Sequence, residues 1–169
     1  MTEEPTANIP QQALIAGIQQ RLRLERQLKA GANWFYWIAG LSLVNSLIFL
    51  FKGGITFVIG LGLTQVVDGI AGVVARELGR QGGSIIRAAG LAVNLVIAGI
   101  FVAFGYLGRK GQRWAFITGM ILYGLDIFIL LWARDMFGIL FHIIALAGLY
   151  RGLRAIGEIE RWGTKAQVG

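Results

Sequence analysis

The chain has 169 residues, 56% of them apolar and only 15% charged, where soluble proteins carry about 25% charge. A water-soluble globule of this length cannot hide so much apolar surface, which excludes most soluble enzymes. The absence of Cys removes disulfides, thiol nucleophiles and Cys-type metal sites, and a single His removes bis-His haem and multi-His centres, while the net charge of +7 lies between apolar blocks, where it suits lipid headgroups and not nucleic acid.

Residues 1–10 are polar and include Glu3 and Glu4, unlike a basic-then-apolar secretory signal. Residues 11–30 read as a helix, with Pro10 suited to its first turn. Leu14, Ile18 and Leu22 recur at four-residue spacing, joined by Ile15 and Leu28. Such a stripe suits a helix lying on a membrane surface, and equally an ordinary solvated lead-in helix.

The long apolar runs follow, most of them near the ~20 residues needed to cross hydrocarbon. They predict helices at 33–51, 55–75, 86–107 and 114–133, and a shorter last run at 136–149 that continues through Arg151 and Arg154 if those side chains snorkel. The expected fold is an all-α polytopic bundle of five spanning helices. The alternative is four spans plus a re-entrant or interfacial segment, because only Arg134 and Asp135 separate the last two runs. The domain layout expected is a polar lead-in with an interfacial helix (1–31), a transmembrane domain (32–154) and a polar tail (155–169). With five spans the basic residues divide eight to eight between the two sides, whereas four spans would place eleven or twelve inside. Four basic residues precede the first span and one follows it, which favours a cytoplasmic N-terminus. Trp34, Tyr36, Trp37, Trp114 and Trp132 lie at span ends, as in an aromatic belt.

A weak repeat is also legible. Asn45 and Asn94 lie in the first and third runs, and Asp68 and Asp126 follow similar segments in the second and fourth, which would make a parallel duplication of an Asn-bearing and an Asp-bearing helix. The Gly-rich stretch at 79–83 lacks the Lys-Ser/Thr ending of a phosphate loop and reads as a flexible turn.

Intramembrane polar residues carry most of the functional information, since an ionisable group in hydrocarbon is costly and rarely faces lipid. Counted from the helix ends, Asp68, Asn94, Asp126 and His142 share a depth of about 11–12 Å inside one face, with Asn45 nearer the midplane. Small residues accompany them at helical spacing, as with Gly90 and Ala98 around Asn94, and Gly148 and Gly152 add a small-xxx-small pair. In a structural reading Asp126 accepts a hydrogen bond from His142, Asn94 bridges to Asp68 or a carbonyl, and the cluster fixes helix register. In a functional reading the same residues line a cavity for a proton, a monovalent cation or a divalent metal. His142 alone could also serve as the axial ligand of a chlorin or haem. No nucleophile–base pair, metalloprotease motif, voltage-sensor helix or carbonyl filter is present in the sequence, so no enzyme is expected.

The run 32–39 (ANWFYWIA), the segment 59–68 (IGLGLTQVVD), residues 138–142 (GILFH) and residues 148–153 (GLYRGL) resemble a group of small bacterial integral-membrane proteins without an assigned role. The resemblance implies a bacterial inner-membrane protein and transfers no activity or cofactor. The leading functional expectation is a non-catalytic subunit or scaffold within a membrane assembly, with lipids and other membrane proteins or further copies as partners. The alternative is a small proton or cation carrier using Asp68, Asp126 and His142.

Overall fold

Backbone polar groups in hydrocarbon must be satisfied within the segment, so the apolar runs fold as helices. The computed structural model describes residues 9–50 and 60–168, and these form five helices: α1 (Ile9–Leu50), α2 (Gly62–Glu77), α3 (Gly79–Arg109), α4 (Arg113–Ala133) and α5 (Met136–Val168). The protein is an all-α bundle, and α1, α3, α4 and α5 are long and apolar enough to cross a membrane. The described part of α2 has 16 residues, about 24 Å of helix. The first residues of the span expected at 55–75 lie outside the described residues.

Contacts fix the directions of the helices. Ala32, Tyr36 and Ser46 of α1 meet Gly108, Gly105 and Asn94 of α3, so these two helices are antiparallel. The parallel duplication expected from Asn45 and Asn94 fails on this point, because a same-direction repeat needs its first and third helices to run the same way. Leu61, Asp68 and Gly72 meet Ser42, Ser46 and Phe49, so α2 runs parallel to α1. Gly31 and Trp34 of α1 meet Gly152 and Gly148 of α5, an antiparallel pair.

The ends of α4 and α5 settle the ambiguity at Arg134 and Asp135. Arg134 takes a left-handed conformation (φ 58°), and the Asp135 carboxylate accepts a hydrogen bond from the Gly138 N–H at 2.8 Å. One residue stops α4 and the next caps α5. The stretch at 79–83 is helical from Gly79 and not a flexible turn. The reversal between α2 and α3 is confined to Leu78 and Gly79, whose φ of +71° suits a residue without Cβ.

Two helices run well past the others. The 42 residues of α1 make about 63 Å, roughly twice the ~30 Å hydrocarbon core. The lead-in helix is therefore not separate from the first span but collinear with it. Its Leu24 and Leu28 are buried together with Ala155 and Ile156 of α5, where a polar tail is expected from the sequence. The α1–α5 crossing is close: a Cβ at Gly31 would stand 2.5 Å from the Gly152 Cα. Between this crossing and the middle of the bundle the core is aromatic, with Phe35 5.7 Å from Phe116, 5.9 Å from Phe104 and 6.3 Å from Phe101, centroid to centroid. Past that layer the core turns polar.

Candidate functional site

The polar half of the core is organised by the start of α2. Leu61 and Gly62 lie beside Ser42, eight residues before Leu50 at the end of α1, or about 12 Å short of that end. A helix beginning at that depth presents free N–H groups where no water can meet them. Its N-cap residue, Leu61, has no side chain able to help. The partners come from other helices. The Ser42 Oγ accepts from the Leu61 N–H at 3.0 Å, and Asp126 of α4 accepts from the Gly62 N–H at 2.6 Å and the Leu63 N–H at 2.8 Å. The carboxylate also sits where the helix dipole favours a negative charge.

His142 of α5 completes this group. Its Nδ1 lies 2.8 Å from the Gly138 carbonyl oxygen, which can only accept, so Nδ1 carries a proton. Its Nε2 lies 3.0 Å from Asp126 Oδ2. The contact holds one further proton, on either the imidazole or the carboxyl, and the pair is neutral overall in both forms. Tyr123 stacks on the imidazole at 3.9 Å between centroids and 11° between planes. With both nitrogens engaged, one face covered and the residue fully buried, His142 offers no free lone pair to a chlorin or haem.

A second group lies further along α2. Asp68 accepts from Ser46 Oγ–H at 2.8 Å on Oδ2 and from Asn94 Nδ2–H at 2.8 Å on Oδ1, and Asn94 also donates to Ser46 Oγ at 2.7 Å. A longer contact of 3.4 Å runs from Asn94 Nδ2 to the Thr64 carbonyl, tying this triangle to the first turn of α2. Beside Asp68 is a cavity of about 10 Å³, also lined by Arg87, with room for about one water.

The sequence-singled residues therefore form two pairs, Asp126 with His142 and Asp68 with Asn94, about one and a half turns apart along α2. Asn45 is buried next to Ser46 but is bonded to neither group among the described residues. Ser42, Ser46 and Thr64 were missed as partners. The signal available for the first two was their i, i+4 spacing on the face of α1 that turns toward Asp68. No group of three or more His, Asp or Glu able to hold a metal occurs among the described residues.

No known family matches this chain, and neither a characterised protein nor a solved structure is similar to it.

Proposed function

We propose that the protein is a non-catalytic subunit or scaffold of a bacterial inner membrane, built to pack against other membrane proteins. The observation that carries this reading is the apolar stripe of the α1 extension. Leu14, Ile15, Ile18 and Leu22 are each at least half exposed. The connection from α3 to α4, with Arg109, Lys110 and Arg113, marks a membrane boundary level with Ala32, which meets Gly108. Leu22 and Leu14 then lie about 15 and 27 Å beyond that boundary at 1.5 Å per residue. Because α1 is continuous, the stripe cannot bend down onto the lipid. Exposed apolar side chains at that distance call for a protein surface to cover them.

The arrangement of charges supports an orientation. With α1, α3, α4 and α5 crossing and α2 entering only part of the bilayer, the side holding both termini collects eleven basic residues. These are Arg21, Arg23, Arg26, Lys29, Arg109, Lys110, Arg113, Arg151, Arg154, Arg161 and Lys165, against Arg76, Arg80, Arg87 and Arg134 opposite among the described residues. This asymmetry supports a cytoplasmic location for both termini. Purification from native membranes in gentle detergent, with mass spectrometry of the native-gel band, tests the subunit reading. A stoichiometric partner lost on Leu14→Lys plus Ile18→Lys supports it, and a homogeneous band of this chain alone defeats it.

A second reading, a proton or cation pathway, draws on the shared proton between Asp126 and His142. It requires ion flux by the wild-type chain in liposomes, sensitive to Asp68→Asn. Absence of wild-type flux ends it.

A further inference from the structure

A groove of about 1130 Å³ runs between α1 and α5 on one side of their close crossing. Its character changes along its length. On the bundle side of Gly31 and Gly152 it is lined by Trp34, Ile143 and Ile144, and the two isoleucines are about half exposed. At the crossing and beyond it the lining includes Arg151, Arg154 and Arg23. Arg154 bonds Glu158 through Nε at 3.0 Å, leaving its terminal nitrogens free, while Arg151 and Arg23 have no acidic partner among the described residues. Three guanidinium groups against one carboxylate give this end a net positive charge.

The change of character falls at the membrane boundary. Gly31 is next to Ala32, the residue level with the Arg109–Arg113 connection, so the apolar section lies where acyl chains lie and the arginines lie at headgroup depth. A water-soluble anion would have no use for the apolar section, whereas an anionic lipid uses both sections at their own depths. Guanidinium groups above an apolar cleft complement a phosphodiester joined to acyl chains. We propose that this groove is a binding site for an anionic phospholipid, with its phosphate on Arg151 and Arg154 and an acyl chain over Trp34, Ile143 and Ile144. Arg23 lies about 9 Å further out than Arg154 along the paired helices, placed for a second anionic group on the same headgroup.

Trp34 makes the site observable. The purified full-length protein is reconstituted in phosphatidylethanolamine vesicles doped with brominated phosphatidylglycerol, brominated cardiolipin or brominated phosphatidylethanolamine. Tryptophan quenching is read for the wild type and for Trp34→Phe. The proposal expects the brominated anionic lipids to quench more than twice as strongly as the zwitterionic one at low mole fraction. That excess disappears in Trp34→Phe and in Arg151→Gln plus Arg154→Gln, and survives in Arg109→Gln plus Lys110→Gln, which leaves the groove untouched. Equal quenching by all three lipids in the wild type overturns it, as does an excess that persists in Trp34→Phe. If the double arginine variant fails to fold, the comparison of the wild type with Trp34→Phe still decides. A protein that co-purifies with the wild type and fills the groove so that no lipid quenches Trp34 also overturns it.

Discussion

Replacing Asp126 by Leu tests whether the intramembrane carboxylate is chiefly the missing cap of α2. The two side chains branch alike and the bulkier Leu opens no cavity, so the change removes hydrogen bonds without loss of packing. It strips the Gly62 N–H, the Leu63 N–H and the His142 Nε2 of their shared partner. Each buried polar group left unpaired costs about 1–3 kcal/mol, so the three together amount to roughly 3–6 kcal/mol after partial relaxation. Asp126→Asn is milder. Its oxygen can still serve Leu63 and its amide can donate to a neutral His142, leaving only the Gly62 N–H unpaired, for a loss of about 1–3 kcal/mol. The assay is reversible unfolding in mixed micelles, combined with hydrogen-exchange mass spectrometry of the peptide covering 60–66. The expected order of stability is wild type, then Asn, then Leu, with exchange rising first at the start of α2. A Leu variant within 0.5 kcal/mol of the wild type, or with unchanged exchange at 60–66, would refute the reasoning.

Three further outcomes are expected. Gly31→Ala should weaken the α1–α5 pairing, since its Cβ would meet backbone atoms of Gly152, whereas Gly40→Ala, with nothing within 4 Å, should be neutral or slightly stabilising; overpacking of this kind costs about 1–3 kcal/mol, readable from the unfolding midpoint. Asn94→Leu removes two short donated bonds, to Asp68 and Ser46; Ser46 keeps its own bond to Asp68 Oδ2, so one unpaired atom, Asp68 Oδ1, should lower stability by about 1–3 kcal/mol. Thiol labelling of single-cysteine variants in sealed inverted vesicles should place Lys110→Cys on the same side as Gln11→Cys and Glu77→Cys on the opposite side; the reverse result at 110 and 77 would mean that α2 lies in a full extra crossing.

The helices and the intramembrane pairs were legible because local sequence specifies them. Apolar runs of the right length give helices in lipid, and His142 and Asp126 each have few acceptable partners in a dry core. The start of α2 was not legible, for a definite reason. Helix starts are read from the N-cap residue and its near neighbours, but Leu61 carries no capping group and the carboxylate that serves α2 arrives from α4. A cap 64 residues away in sequence leaves no local trace. The course of α1 escaped for the opposite reason. Its 11–30 stretch contains the apolar stripe of a surface helix, yet nothing between Ala30 and Asn33 breaks a helix, and Gly31 is required by the approach of Gly152 and not by a bend.

The position of the aromatic layer bears on how the polar core can act. Asp126 lies seven residues from the end of α4, about 10 Å, so its group is closer to one side of the bilayer than to the other. Toward the terminal side the way is filled by Tyr123, Phe101, Phe104, Phe35 and Phe116, successive rings 5.7–6.3 Å apart with Tyr123 itself stacked on His142. None of these rings except Tyr123 carries a group that can pass a proton, and Phe35, Phe116 and Tyr123 are fully buried. A conducting path would have to part this layer, and with it the packing that holds α1 against α3 and α4. The same layer is what a scaffold needs: a rigid aromatic core between the capped half-helix α2 and the α1–α5 extension that carries the exposed stripe. Replacing Phe35 by Ala separates these demands. Loss of a buried Phe costs about 3–5 kcal/mol in stability, which a scaffold would register as weaker association of its partner, whereas a pathway closed by that ring would register it as a gain of ion flux.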